Sequence, residues 1–393
     1  MITCPWSLGL RRRLGPAHTT KPDIRGTVDF SYDVVNLDVG RPDVADTPHA
    51  SELSDQATMP ETREKGTNAP IIPSLNETPI LIAVVGPTAT GKSRLGISLA
   101  ERFGGEVISC DSTTVYRGFD IGTDKVALAA RLGIPHHLID VVDPREVYSA
   151  ARYAVEAAAV VRTITARGRL PVLVGGTGLY YRALTQGLFP GPGRDAGLRE
   201  RLRRLGCRHG VERLHRMVRR VDPESADRIH ARDEKRLIRA LEVYYLTGWP
   251  LTRHFEETRS PLKGYVIVGI ALRQSSEVTA AKVARRAAAQ FDEGLLDEIR
   301  GLRASGIPDS APPFSGMVYR QALAFLNGVG DETSMRDEIV RANRRYARRQ
   351  LIWFRKEPNL HWIQVDDGPA YAFRAAAQIV HGHVNPQPAR VTP

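Results

Sequence analysis

The chain has 393 residues, 42% hydrophobic and 25% charged, an ordinary globular balance that is long enough for a sizeable core and excludes a small disulfide- or metal-held scaffold. Its three cysteines, Cys4, Cys110 and Cys207, lie far apart and form no CxxC pair, which argues against a disulfide framework or a cysteine-based zinc site and fits a reducing compartment. The net charge of +11 favours a polyanionic partner such as nucleic acid, or anionic substrates, and no run of about 18 apolar residues marks a membrane span.

Residues 1–75 mix Thr, Ser and Pro with alternating charges and show no apolar period, so the segment reads as a disordered N-terminal extension. A dispensable tail, or a start assigned too early with Met59 as the alternative, is favoured there. Arg11, Arg12 and Arg13 with no acid before Asp23 keep a transit peptide open. Order is expected from 76. Ile80 to Val85 is a continuous apolar run bounded by Gly86-Pro87, the pattern of a strand buried on both faces. A helix is expected over Lys92–Phe103, then strands at Val107–Ser109, Pro171–Val174 and Tyr265–Leu272. Helical segments fill the gaps, which implies βαβ units and a parallel sheet. Residues 192–256 carry only helical patterns (Leu198, Leu202, Leu205; Leu214, Val218; Leu237, Ile238, Leu241, Tyr245) and read as a helical insertion dividing the core into 76–191 and 257–370. A short strand is expected around His361–Ile363, and 371–393 as a flexible tail. The fold class is therefore α/β: a P-loop NTPase-like parallel sheet with a mostly helical insertion and a helical C-terminal region.

Gly86-Pro87-Thr88-Ala89-Thr90-Gly91-Lys92-Ser93 matches GxxxxGK[ST] in full, between an expected strand and an expected helix, which is the context that supports the motif. Glycines let backbone N–H groups form an anion nest, the helix N-terminus adds partial positive charge, Lys92 supplies a point charge, and the Ser93 hydroxyl can coordinate Mg²⁺. The motif specifies a phosphorylated ligand without naming ATP. No guanine-reading NKxD is present, and no apolar strand ends in Asp-Glu as a typical ATPase motif would. Asp111, after the second strand, lies on the sheet edge where open parallel sheets bind ligands. It could hold Mg²⁺, act as a general base or cap a turn.

Beyond these pieces the sequence resembles the tRNA dimethylallyltransferases (tRNA isopentenyltransferases). The resemblance rests on Gly86–Ser93; Asp111-Ser112 with Val115-Tyr116; Asp120-Ile121-Gly122-Thr123 with Lys125; Pro135 to Asp140; Tyr148-Ser149; and Leu173 to Tyr180. It continues through Asp222-Pro223, Arg228-Ile229-His230, Arg236-Leu237 with Arg239 to Glu242, Tyr319-Arg320-Gln321, and Arg348-Arg349-Gln350 with Trp353-Phe354-Arg355. These pieces run in order from about residue 80 to 365.

The resemblance implies transfer of a dimethylallyl group from dimethylallyl diphosphate to N6 of the adenine on the 3′ side of the tRNA anticodon, with Mg²⁺ as the metal and release of diphosphate. It implies that Gly86, Pro87, Thr88, Ala89, Thr90, Gly91, Lys92 and Ser93 bind the diphosphate, Ser93 also holding the metal. By the same resemblance Asp111 accepts the N6 proton, Thr177 hydrogen-bonds the adenine edge and Arg286 lies near the diphosphate. The implied tRNA contacts are Asp111, Ser112, Thr113, Thr114, Thr177, Arg199, Lys235, Arg236, Arg239, Tyr319, Arg320, Arg348, Arg349, Gln350, Trp353 and Arg355.

Two basic clusters fit such a partner. One runs through the insertion from Arg194 to Arg220; the other, with no acid, runs from Arg341 to Lys356 and interleaves Tyr346 and Trp353. RNA readers stack bases on such rings and guanidinium planes, although a charge run can equally be a solvated helix face. Departures from the family pattern are Thr114 for a common Gln, Val318 for a usual Gly before Tyr319, and Asp124 for a common Ala. No cysteine follows Cys207, so a zinc finger of the eukaryotic kind is missing and a bacterial type is favoured. Competing readings are an adenine-nucleotide isopentenyltransferase, a small-molecule P-loop kinase and a non-enzymatic RNA-binding protein. A cytoplasmic monomer with no membrane partner is expected.

Overall fold

The structure is a computed structural model, and residues 78–384 are described; the expected extension over 1–75 lies outside them. The first strand, β1 (Ile80–Val85), is followed by α1 (Lys92–Phe103), β2 (Gly105–Cys110), β3 (His136–His137), α2 (Ala150–Ala166), β4 (Leu170–Gly175) and α3 (Gly178–Thr185). Then come α4 (Ala196–His209), α5 (Val211–Val221), α6 (Pro223–Arg228), α7 (Glu234–Thr247) and α8 (Leu251–Glu256). The chain returns through β5 (Val266–Arg273), α9 (Ser276–Asp292), α10 (Leu295–Ala304), α11 (Met317–Leu326), α12 (Glu332–Phe354), β6 (Leu360–Gln364) and α13 (Pro369–Val384). The expected strands and the helix at Lys92 all form, each strand within a residue or two of its expected bounds.

The six strands form one sheet in the order β3-β2-β4-β1-β5-β6, and every neighbouring pair is parallel. Alternation along β1 explains the two layers that cover it. Leu81, Ala83 and Val85 point into a core shared with Tyr153, Tyr180, Phe314 and Phe354. Ile82 and Val84 point the other way, into a core with Leu99, Phe103, Ala376 and Val380. With both faces buried, the strand residues are apolar throughout.

The last helix corrects an expectation. Residues 371–384 are not a flexible tail: Ala372, Ala376, Val380 and Val384 are buried at a spacing of four and bury one stripe of α13 in the second core. The stripe is rich in alanine, which packs closely against a neighbour while contributing little apolar signal to a sequence pattern. Residues 385–393 are outside the described part.

Helices α4 to α8 occupy the expected insertion and enclose a third core of Leu202, Leu214, Val218, Leu237, Ile238 and Leu241. Tyr245, expected on this apolar pattern, is instead 53% exposed. Two chain crossings join the insertion to the sheet, and they touch at Gly187, whose left-handed φ of 93° suits glycine and where a Cβ would fall 2.0 Å from the Arg259 carbonyl oxygen. Inside the insertion, the buried Glu242 accepts hydrogen bonds from Arg199 Nε at 2.7 Å, Arg239 Nη1 at 2.8 Å and the Asp195 N–H at 2.9 Å. Burial raises this carboxyl, but the Arg199 and Arg239 guanidiniums outweigh it and hold the group at about 2.

Removing one partner of a buried ion pair strands the others. Glu242→Gln is therefore expected to lower stability by about 3 kcal/mol in urea denaturation at neutral pH. Because the carboxyl is held below its ordinary 4.5, its contribution is complete above that pH and is lost as pH falls toward about 2. The gap between wild type and variant should close across that window.

Candidate active site

The sheet order brings three loops to one edge. With β4 between β1 and β2, the loops after β1, β2 and β4 open side by side at the carboxyl ends of their strands, the edge at which parallel sheets bind ligands. Close approach demands glycine here: a Cβ on Gly86 would meet the Leu272 oxygen at 2.6 Å, and one on Gly175 the Cys110 oxygen at 2.1 Å.

The loop Gly86–Ser93 connects β1 to α1 as expected. Gly86, Ala89 and Gly91 all take positive φ, at 133°, 65° and 87°, which curls the backbone around its own N–H groups. Thr90 Oγ1 donates to the Pro87 carbonyl at 2.9 Å and Lys92 Nζ to the same oxygen at 2.5 Å. Gly91 caps α1 with no side-chain acceptor, so the N–H groups of the first turn remain for a ligand. Ser93 is exposed on that turn. Gln274, after β5, donates to the Ala89 carbonyl at 3.2 Å and is held by Lys282 at 2.9 Å.

Asp111 opens into the same cavity. That cavity has a volume of about 1010 Å³ and is lined by Lys92, Ser93, Asp111, Gly176, Arg286 and Tyr346 among others. Asp111 Oδ1 accepts from the Thr113 N–H at 2.8 Å and its hydroxyl at 2.6 Å, which fixes the carboxylate and leaves Oδ2 for a ligand. Thr177 stands at the N-cap of α3. Its hydroxyl oxygen accepts from the Ser112 N–H at 3.1 Å, so its own O–H is left to donate.

Arg286, on α9, reaches the cavity and donates to Asp124 Oδ2 at 3.0 Å and to Asn343 Oδ1 at 3.4 Å. The Asp124 backbone is left-handed, with φ 59°. Tyr319 explains how that segment is held. Its ring is 1% exposed, its hydroxyl donates to Glu298 Oε1 at 2.6 Å and accepts the Gly122 N–H at 3.0 Å, and Glu298 Oε2 takes the N–H groups of Asp120 and Ile121. Tyr319 thus serves the 120–125 segment from inside the protein and offers almost no surface to an RNA. Val318 lies within α11 and is buried, so the departure from glycine falls in a helix and not in a loop.

The other residues expected at an RNA divide into two groups. Lys235, Arg236, Arg320, Arg348, Arg349 and Arg355 are exposed. Arg199 forks onto Glu242 and Arg239 divides between Glu242 and the Pro192 carbonyl, Thr114 Oγ1 pairs with Ser109 Oγ at 2.9 Å in the interior, and Gln350 is buried. Trp353 is half-buried under the Arg182 guanidinium, 4.6 Å from its ring. Sequence reasoning missed the inward face of α12 as a unit: Asn343 holds Arg286, and Tyr346 lines the cavity. Burial, then the Asp111 charge, push the Tyr346 phenol above its ordinary value. The available signal was the spacing of Asn343, Tyr346 and Gln350, three and four apart among arginines, which is one helix face.

A phosphate loop, a tethered carboxylate and a threonine hydroxyl at one α/β sheet edge define an enzyme site for group transfer from a phosphorylated donor. Comparison with known proteins makes the family definite. The IPP transferase family matches residues 114–357. The tRNA dimethylallyltransferase of Solibacter usitatus is 46% identical over 300 residues, covering 76% of this chain and 96% of that protein. That of Methylococcus capsulatus is 43% identical over 309 residues, covering 78% and 98%. The crystal structure of the full-length tRNA isopentenylpyrophosphate transferase from Bacillus halodurans matches with a TM-score of 0.55 at 36% identity, over 77% of this chain and 99% of that one. A eukaryotic dimethylallyltransferase structure matches in fold, with a TM-score of 0.67 at 24% identity. The chain belongs to the IPP transferase family, among the tRNA dimethylallyltransferases.

Lys92 provides a measurable signature of the site. Burial first, then Arg286, oppose its ammonium form, while Asp111 and Asp124 favour it, and its value falls from 10.5 to about 8. An anion in the loop favours the charged form. Pyrophosphate affinity is therefore expected to fall as pH rises through about 8. Calorimetry in buffers of different ionisation heat should detect proton uptake on binding at that pH, and Lys92→Met should abolish both effects.

Proposed function

We propose that the protein transfers the dimethylallyl group of dimethylallyl diphosphate to N6 of the adenine on the 3′ side of a tRNA anticodon. The observation that carries this reading is that an anion-ready loop and a tethered carboxylate line one cavity. The allylic C–O bond breaks, its electron pair leaves on the diphosphate, the N6–C bond forms, and the N6 proton passes to Asp111. Charge grows on the departing diphosphate, where Lys92, Arg286 and the first-turn N–H groups of α1 stabilise it most effectively. An adenine amine is a weak nucleophile, so a carboxylate placed to take its proton raises the rate. Thr177 donates to the base and fixes its orientation.

The donor set suits Mg²⁺. The Ser93 hydroxyl is a hard oxygen ligand in the cavity, and Mg²⁺ ordinarily completes its shell with substrate phosphates and water. Among the described residues no group of three or more His, Cys, Asp and Glu side chains is placed to hold a metal. When bound, Mg²⁺ supplies charge neutralisation to the leaving group.

A stacked adenine reaches such a cavity only when extruded from the anticodon loop. Backbone clamps for that step are the exposed Arg348, Arg349 and Arg355 on or just after α12, Arg320 on α11, and Lys235 and Arg236 on α7. No helix among the described residues is long and apolar enough to cross a membrane. We take the protein to act as a monomer in the cytoplasm.

Asp111→Asn should lower product formation by about 10²–10⁴-fold while leaving pyrophosphate and tRNA affinity within a few-fold of wild type. Mass spectrometry of nucleosides from treated tRNA checks this, and undiminished product would remove Asp111 from the chemistry. Neutralising Arg348, Arg349 and Arg355 to glutamine should reduce the slope of log affinity for tRNA against log salt by about 2. An unchanged slope would separate these residues from the RNA backbone.

A further inference from the structure

Helix α12 has two faces of opposite character. Arg344, Arg345, Arg348 and Arg349 are exposed, while Asn343, Ala347 and Gln350 are buried. Gln350, though adjacent to Arg349, is 5% exposed, and both ends of its amide are engaged within the protein. Its Oε1 accepts the Thr88 N–H at 2.8 Å, and its Nε2 donates to the Gly176 carbonyl at 2.8 Å. The fit is close: a Cβ on Gly176 would lie 2.2 Å from Nε2.

These two contacts join segments with different tasks. Thr88 belongs to the loop that carries Lys92 and Ser93; Gly176 precedes Thr177. A primary amide offers an acceptor and a donor in one plane, and no hydrophobic or carboxylate side chain can make both bonds. Leaving a buried N–H or carbonyl without its partner is costly, so the cross-link favours one separation of the two segments.

We propose that Gln350 is a positioning residue, whose amide fixes the phosphate loop against the turn bearing Thr177 and so sets the distance between the leaving diphosphate and the accepting base. The proposal deepens the reading of the loop as a diphosphate site and rests on it.

Gln350→Met keeps the volume and removes both bonds. In the full-length protein, pyrophosphate Kd is expected to rise about tenfold and amide exchange across residues 86–91 to accelerate, with tRNA Kd within about twofold of wild type. Gln350→Glu keeps an acceptor for Thr88 but has no proton for Gly176. Exchange at Thr88 should stay slow in that variant while kcat falls about tenfold, a split that a general loss of stability would not produce. It also serves if the methionine variant does not fold. A raised tRNA Kd with pyrophosphate binding and loop exchange unchanged would overturn the proposal and make Gln350 an RNA contact. Wild-type kcat in the glutamate variant would overturn it as well. A wild-type protein that ignores pyrophosphate would instead overturn the donor reading, and the exchange measurement would still test the tether.

Discussion

The site depends on the position of one strand. Because β4 lies between β1 and β2 and every pair is parallel, the phosphate loop, Asp111 and Thr177 emerge from adjacent strands at the same end of the sheet. Strands about 4.8 Å apart place groups from neighbouring loops within reach of a single small substrate. The crossover helices bury both faces and leave this edge as the place where backbone groups are not consumed by the ladder. Gly86 and Gly175 then remove side chains where the loops would collide with the neighbouring strands.

Much of this was legible in the sequence for physical reasons. A strand buried on both faces must be apolar along its length, so Ile80–Val85 stood out, and the glycines and lysine that follow it match the pattern of an anion-binding loop. The carboxylate Asp111 was legible because it follows a strand. Less legible was anything whose signal is shared with the surface. Arg199 and Arg348 look alike in a run of arginines, yet one forks onto the buried Glu242 and the other is exposed; only the fold says where the buried acid lies. Tyr319 and Gln350 sit beside arginines in the sequence, and their inward direction comes from helical rotation about a core that the local pattern does not reveal. The α13 stripe was missed because alanines bury well without reading as strongly hydrophobic.

The electrostatics of the site follow from the same placement. Lys92 turns onto its own loop at Pro87 and Arg286 is held between Asp124 and Asn343, so both cations already have internal acceptors. The depression of Lys92 reflects burial beside Arg286, the condition under which an incoming anion gains most from meeting it. Among the other basic residues, Arg199 and Arg239 are spent on the buried Glu242 while Arg344, Arg345, Arg348 and Arg349 are displayed outward on α12.

The junction at Gly187 marks where the insertion leaves the sheet. Helices α4 to α8 bury their apolar residues chiefly against one another, and the two chain segments leading to them meet where the backbone of Gly187 lies against that of Arg259. The insertion therefore carries an apolar interior of its own, distinct from the two that cover the faces of the sheet. Substitutions within it are buffered from the strands that hold the phosphate loop and Asp111.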